Sequence, residues 1–281
     1  MSRMKKIFTF WEPKENMPAY LQLCIETWEK FLPEFEINIL DYQTVFNYLD
    51  KSTYNFDHLK NTFTFPVQAD AIRCALLAKY GGIWFDTDTI ILSSKFKELV
   101  DYTLSNYDFG MIEENPDKEI GPHIGLIISS LPPNRKTKFF DKWQAEIGKR
   151  VEKYGKSTWS FMDKHFLNRK MYQTARAWNF LGNSIVNDLL KDEHKREYFP
   201  IDNRKLKTVP ETVIYPNMDR YAAYRKFYFF NKKSFEDYNL DSVCLYLHNS
   251  WTPKEYRGMS KSEFLSQDIL LAKLLKRILN D

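Results

Sequence analysis

Three features of the sequence predict an α/β fold on a central mixed, mostly parallel sheet. The chain opens strand–helix–strand, the order of a parallel unit. Short apolar runs recur at 83–85, 109–113, 124–129 and 243–247. A long helix ends at Gly81-Gly82 and gives way at once to Ile83-Trp84-Phe85.

Residues 6–11 (KIFTFW) read as a buried strand. Asn16 and Pro18 open a helix, Leu21, Cys24, Ile25, Trp28, Phe31 and Leu32 follow at helical spacing, and Pro33 ends it. Glu36 to Asp41 alternates as a second strand, and 44–49 reads as a short helix. Pro66 to Tyr80 forms the long helix before the glycine pair. Asn134 to Tyr154 is amphipathic, with Phe139, Phe140, Trp143, Ile147 and Val151 on one side. A further helix is expected around 176–191, mixed and loop-rich structure over 207–250, and a terminal helix from Ser266 to Leu279. No internal repeat or low-complexity linker divides the chain, so one compact domain is expected.

Composition sets limits on function. With 43% apolar residues, the chain can bury a core and is not of the disordered or collagen-like class. Only nine of 281 residues are glycine, while aromatics reach 16%. Three cysteines, none in a C-x-x-C pair, rule out a disulfide scaffold and are expected as buried thiols of a reducing, cytoplasmic compartment. A net charge of +4 does not call for nucleic acid. The apolar run at the N-terminus is too short for a signal peptide or a spanning helix.

The strongest chemical signal is Asp86-Thr87-Asp88 at the end of an apolar strand. In an extended segment, residues i and i+2 point the same way, so both carboxylates are expected to face one point. Paired hard oxygens suit Mn²⁺ or Mg²⁺, which in turn bind phosphate oxygens. A bare D-x-D is also an ordinary solvated turn, and the helix upstream is what separates the two readings. Asp70 and Arg73 share a face of that helix, either as a plain ion pair or as groups beside the metal, with Asp70 accepting from sugar hydroxyls and Arg73 donating to a ligand. His248-Asn249-Ser250-Trp251 follows the strand at 243–247 and offers a third metal ligand, with Lys254 in reach of a phosphate. The alternative is a polar-turn histidine with Trp251 covering the core. Trp11, after the first strand, is either a core tryptophan or a platform for a nucleobase.

Together these residues resemble the capsular-polysaccharide-synthesis glycosyltransferases, within the glycosyltransferases that share a D-x-D sugar-binding region (family 32). The carriers are the opening TFWEPKENMPAYLQLCIETWEKFLPEFEINILD, the block QADAIRCALLAKYGGIWFDTDTIIL (68–92), VIYP (213–216) and LHNSW (247–251). The resemblance runs strongly over 6–92, patchily over 93–206 and again over 207–254. It implies a GT-A fold over 1–281, with a donor-binding part at about 1–130 plus 243–254, an acceptor side at about 131–242 and a C-terminal helix at about 266–279. It further implies Mn²⁺ (or Mg²⁺), a nucleotide diphosphate sugar as donor, a glycan acceptor and retention of anomeric configuration. Carried over by residue, Asp88 is the direct metal ligand, and Asp86 touches the ribose or sugar and the metal. Asp70 and Arg73 hold the donor sugar; Thr9, Phe10 and Trp11 line the base pocket. His248 is the third protein ligand, Ser250, Trp251 and Lys254 contact the diphosphate, and Thr87 is counted among the donor-binding residues. The segment Leu181-Gly182-Asn183 carries Asn183 where many relatives have proline, and 121–129 departs from the Asn-Ala type, so the sugar-side geometry there is open. Asn183 is kept among the catalytic candidates.

Two rivals remain. A phosphatase-type D-x-D-x-[TV] loop is disfavoured by Ile90 and by the lack of a downstream acidic cluster. A binding protein that keeps the fold without turnover, or an effector that glycosylates a protein, differs only in outcome. Basic and aromatic residues at 220–235, and the terminal helix with Lys273, Lys276 and Arg277, raise the prospect of peripheral contact with the inner membrane face and a lipid-linked acceptor. A core-packing helix and an aromatic hairpin are the alternative.

Overall fold

The computed structural model describes residues 5–113, 122–192, 198–202, 217–238 and 242–280. VIYP (213–216) lies outside them. The chain begins with strand β1 (Lys5–Phe10), helix α1 (Ala19–Phe31) and strand β2 (Phe35–Leu40). Helices α2 (Phe56–Thr62) and α3 (Phe65–Tyr80) precede strands β3 (Gly82–Phe85) and β4 (Thr89–Ile91). Helix α4 (Lys95–Asn106), strands β5 (Phe109–Glu113) and β6 (His123–Ser129), and helices α5 (Phe139–Tyr154), α6 (Arg169–Ala175) and α7 (Asn183–Asp192) follow. Strand β7 (Tyr198–Asp202), a helix at Arg220–Phe229, strand β8 (Cys244–Tyr246) and three helical segments complete the described chain.

Six strands form one sheet in the order β2-β1-β3-β6-β5-β7. The β1–β2, β1–β3 and β5–β7 pairs are parallel, and β6 runs antiparallel to both β3 and β5. The sheet is therefore mixed, with parallel pairs in the majority. This is the fold class the sequence predicts.

Both faces of the sheet are buried, which is why its strands read as apolar runs rather than alternating ones. Ile7, Ile83, Phe85, Leu126 and Ile128 pack with α1, α4 and the C-terminal helices. Phe8, Phe10, Trp84 and Ile127 pack with α3, α5 and α7 on the other side. The five apolar residues foreseen on α5 are all buried there. That helix starts five residues later than expected. Asp108 accepts the N–H groups of Lys136 and Thr137, each at 2.6 Å, and holds the preceding segment out of the helix.

Four expectations shift. The helix expected around 176–191 begins only at Asn183, after a run of turns. Residues 220–229 form a helix rather than a hairpin strand, capped by Asp219, which accepts from Ala222 N–H at 3.0 Å. The terminal helix expected from Ser266 begins only at Leu270 and runs to Asn280, after a separate short helix Lys261–Leu265 with a Ser260–Glu263 capping box. Helix α2 and strand β4 are additions. Strand β4 pairs antiparallel with β8 in a separate two-stranded ribbon. All three cysteines are buried, and none is in a disulfide.

Gly81 and Gly82 form the link that sets the site. Both have positive φ, at 65° and 89°, where L side chains are strained. A Cβ on Gly81 would meet Ser130 O at 2.4 Å, and one on Gly82 would meet Lys6 O at 2.3 Å. The pair thus ends α3 and sets β3 directly against β1.

Candidate active site

A cavity of about 320 Å³ opens at the C-terminal ends of the parallel strands β1 and β3. Ligands of open α/β sheets settle at such an edge. It is lined from segments far apart in sequence: Trp11, the α3 face with Asp70 and Arg73, Asp86 to Asp88, His123 to Gly125, Trp178 with Asn183, and Tyr246 to Ser250.

Arg73 is the hub. It is 4% exposed, and its guanidinium donates to Ile124 O at 2.6 Å and to Asp86 Oδ1 at 2.7 Å, and lies 3.3 Å from Asp70 Oδ1. It also stacks over Trp84 at 4.8 Å. Trp84 Nε1–H donates to the same Asp86 Oδ1 at 2.9 Å. Asp86 is thereby fixed through Oδ1, with Oδ2 2.8 Å from where a Cβ on Gly125 would stand. The arrangement is more than an ion pair on α3: Arg73 is engaged by protein on three sides, lines the cavity and keeps its Nε–H without a hydrogen-bond partner.

Asp86 and Asp88 both line the cavity, by a route other than the expected extended segment. The chain turns after β3, with Thr89 N–H donating to Asp86 O at 3.0 Å, and β4 then begins. Asp88 Oδ2 accepts from Asn249 N–H at 2.8 Å, and Asp88 O accepts from Leu247 N–H at 2.8 Å. Asn249 is held in turn by the Tyr20 hydroxyl. The β4–β8 pair therefore delivers the His248 segment to Asp88.

Burial pushes the Asp70 carboxyl up to about 7, with Arg73 lowering it and Asp86 raising it. Burial and the neighbouring Asp86 charge likewise push Asp88 up to about 7, against the lowering hydrogen bond from Asn249. Two carboxyls held above their ordinary range in one cleft are the kind of perturbed pair that clusters at functional sites.

Not every candidate reaches the cavity. Phe10, Trp11, Thr87, Asn183, His248 and Ser250 line it. Thr9 is buried behind the lining, its hydroxyl without a hydrogen-bond partner. Trp251 stands behind His248, ring to ring at 4.1 Å. Lys254 is exposed at the start of the helix Lys254–Arg257 and is not part of the lining. Asn183 Nδ2–H donates to Pro122 O at 2.8 Å, and the adjacent Gly182 lets Asp70 approach, since a Cβ there would stand 2.3 Å from Asp70 Oδ2. Asp86, Asp88 and His248 share the cavity, but among the described residues no three His, Cys, Asp or Glu side chains stand together as a metal-binding group.

Sequence reasoning missed His123 and Trp178. His123 accepts Gly125 N–H at 3.1 Å through Nδ1 and stacks on Tyr246 at 4.5 Å. It is the first residue of β6, and the divergence of 121–129 was the available signal. Trp178 sits in a turn-rich segment with no periodicity to mark it.

The sequence model of the family described as "Capsular polysaccharide synthesis protein" matches residues 1–198. Among curated proteins none matches significantly. Among solved structures, the bifunctional glycosyltransferase WbbM superposes with a TM-score of 0.50 at 11% identity, covering all of this chain and 50% of that one. The galactosyltransferase LgtC, in complex with donor and acceptor sugar analogues, is similar at a TM-score of 0.45 and 13% identity, covering 98% of this chain and 95% of LgtC. A glycosyltransferase involved in glycosylating the major capsid of PBCV-1 gives 0.44 and 11%, covering 98% and 100%. With a helix-flanked mixed sheet, a carboxylate-lined cleft at its parallel strand ends and a family match over most of its length, the chain belongs to the capsular polysaccharide synthesis protein family, on the GT-A glycosyltransferase fold.

Proposed function

We propose that this glycosyltransferase moves a hexose from a nucleotide diphosphate sugar to a glycan acceptor in capsule or surface polysaccharide assembly, with a divalent ion and retention of anomeric configuration. One observation carries the reading: Trp11, Asp70, Asp86, Asp88, Asn183 and His248 converge on a single cavity from separate segments. A UDP-sugar, with UDP-galactose first, is the donor the family resemblance favours.

The donor set fits Mn²⁺ or Mg²⁺, because two carboxylates and an imidazole line one cavity, and burial pushes the Asp70 and Asp88 carboxyls up to about 7, a shift that a nearby cation would oppose. Asp88 and Asp86 would hold the ion, with His248 as third protein ligand; when bound, it supplies Lewis-acid stabilisation to the departing diphosphate. The chain's own residues do the rest. Trp11 offers an indole face for the base. Asp70 meets sugar hydroxyls from its buried position. Arg73 keeps Asp86 in place, and the Ser250 hydroxyl donates where charge develops; Lys254, outside the lining, would have to swing in to join it. The acceptor hydroxyl attacks on the leaving-group side through an oxocarbenium-like state. A product inverted at the anomeric carbon would overturn that last step.

The test is donor hydrolysis across a panel of nucleotide sugars with Mn²⁺. Parent protein is expected to hydrolyse one donor, and Asp88→Asn to lose about a hundredfold or more. Equal rates in the two undo the metal assignment. Donor binding without turnover in the parent supports the non-catalytic reading instead.

A further inference from the structure

The segments suspected of membrane contact bury most of their apolar side chains. In the helix Arg220–Phe229, Ala223, Tyr224, Phe227, Tyr228 and Phe229 are buried. In Leu270–Asn280, Leu270, Leu271, Leu274, Leu275 and Ile278 are buried. Tyr221 (44%) and Phe230 (56%) stay exposed there, but most of the exposed apolar surface lies elsewhere. Nine large apolar side chains are exposed among the described residues, and five fall between 161 and 178: Phe161 (69%), Met162 (51%), Phe166 (65%), Leu167 (74%) and Trp178 (69%).

These residues share one projection between α5 and α7. A π-helical turn at Asp163–Leu167 leads into α6. The projection is anchored at its base, so its tip is presented rather than loose. Trp159 Nε1–H donates to Thr62 Oγ1 at 2.8 Å, and Arg176 donates to Thr62 O at 3.3 Å. Lys156 bonds Asp163 at 3.1 Å and lies over Trp159 at 4.8 Å. Phe161 and Phe166 stand 6.3 Å apart at the tip.

Charge identifies the occupant. Residues 156–178 hold Lys156, Lys164, Arg169, Lys170 and Arg176 against Asp163 alone, a net +4, which equals the net charge of the whole chain. Residues 220–235 are also basic, with Arg220, Arg225, Lys226, Lys232 and Lys233 and no acidic residue, but most of their large apolar side chains are buried. Exposed phenylalanine and leucine ringed by lysine and arginine match a bilayer surface with anionic headgroups.

We propose that residues 159–178 dock this chain on an anionic lipid surface, through Phe161, Met162, Phe166 and Leu167 with Lys164, Arg169 and Lys170 around them. Trp178 belongs both to this exposed surface and to the cavity lining. Docking there sets the cavity mouth beside the bilayer, where an acceptor carried on a lipid would arrive. That acceptor role rests on the glycosyltransferase reading; the docking itself does not.

The test is flotation of the full chain with phosphatidylcholine vesicles, with and without phosphatidylglycerol. The parent is expected to float only with the anionic vesicles, and high salt is expected to release it. A Phe161→Ser, Phe166→Ser, Leu167→Ser variant, and separately a Lys164→Glu, Lys170→Glu variant, are expected to bind at least about tenfold more weakly. Reversals at Arg225 and Lys226 are expected to bind as the parent does. Circular dichroism and donor hydrolysis, unchanged in all three, separate lost docking from lost folding. No flotation of the parent, or equal flotation of parent and projection variants, overturns the proposal. So does a dimer in sedimentation that the serine variant dissolves, which would assign the patch to a second copy. Failure of flotation with donor hydrolysis intact leaves the enzymatic reading standing, whereas flotation without hydrolysis removes that reading alone.

Discussion

Arg73 bears the most consequence of any single residue. Two carboxylates, a carbonyl and an indole face meet its guanidinium within a buried shell. Lysine carries the charge but not the planar fork, so it cannot serve Asp70, Asp86 and Ile124 O at once. Arg73→Lys is expected to cost roughly 3 kcal/mol of stability, measured by urea unfolding, because buried carboxylates lose their partner. Asp70 gives a separate prediction with a definite sign. Its carboxyl, pushed from 3.8 up to about 7, binds its proton more tightly in the folded state than in the unfolded one. Stability from this group is therefore complete at low pH and falls as pH rises from about 4 to about 7, then levels. Asp70→Asn is expected to flatten that part of the Tm–pH curve in the presence of a chelator. An unchanged slope would show that the proton is not held there. The residue types of this cluster were legible in sequence, since A-D-x-x-R and D-x-D are written out in 69–73 and 86–88. What they bond was not: Trp84 and Ile124 O join Arg73 only once α3, β3 and β6 are packed.

At the scale of elements, the glycine turn carries the strongest constraint. Gly82 has φ of 89° and faces Lys6 O with no room for a Cβ. Gly82→Ala is expected to destabilise by at least ~2 kcal/mol, from strain and clash together, and to lower Tm in thermal unfolding. Gly148→Ala, on an open face of α5 with nothing near its Cβ position, is expected to be neutral or slightly stabilising. Long periodic elements such as α1, α3 and α5 were legible because their apolar spacing reports the face they bury. Short ones were not. Strand β4 has three residues, and pairing with β8, more than 150 positions away, defines it. The helix at Arg220–Phe229 mixes aromatics with Arg and Lys all round, so its pattern has no single face, and only its burial against the C-terminal helices decides its conformation.

At the scale of the molecule, the cavity exists because two distant halves meet. The sheet positions Asp86, while the β4–β8 ribbon brings His248 and Asn249 to Asp88. Residues 247–251 were legible as a motif, yet their docking on Asp88 depends on Tyr20 of α1 as well, a contact no local pattern encodes. This assembly predicts how divalent cations act on the whole fold. An ion that binds the folded chain stabilises it by about 2.7 kcal/mol at a hundred times its Kd. Asp88 must give up its proton to bind, and burial with Asp86 holds that proton up to about 7. Mn²⁺ is therefore expected to raise Tm more at pH 8 than at pH 6, and the opposite order would count against Asp88 as a ligand. Asp88→Asn is expected to abolish the rise at both pH values. His248→Ala is expected to keep the metal-free Tm within a few degrees, as a partly exposed residue, yet to reduce the Mn²⁺ increment. If the histidine variant responds to Mn²⁺ as the parent does while the asparagine variant does not, the ion rests on the β3–β4 turn alone, and the second half of the chain serves the donor rather than the metal.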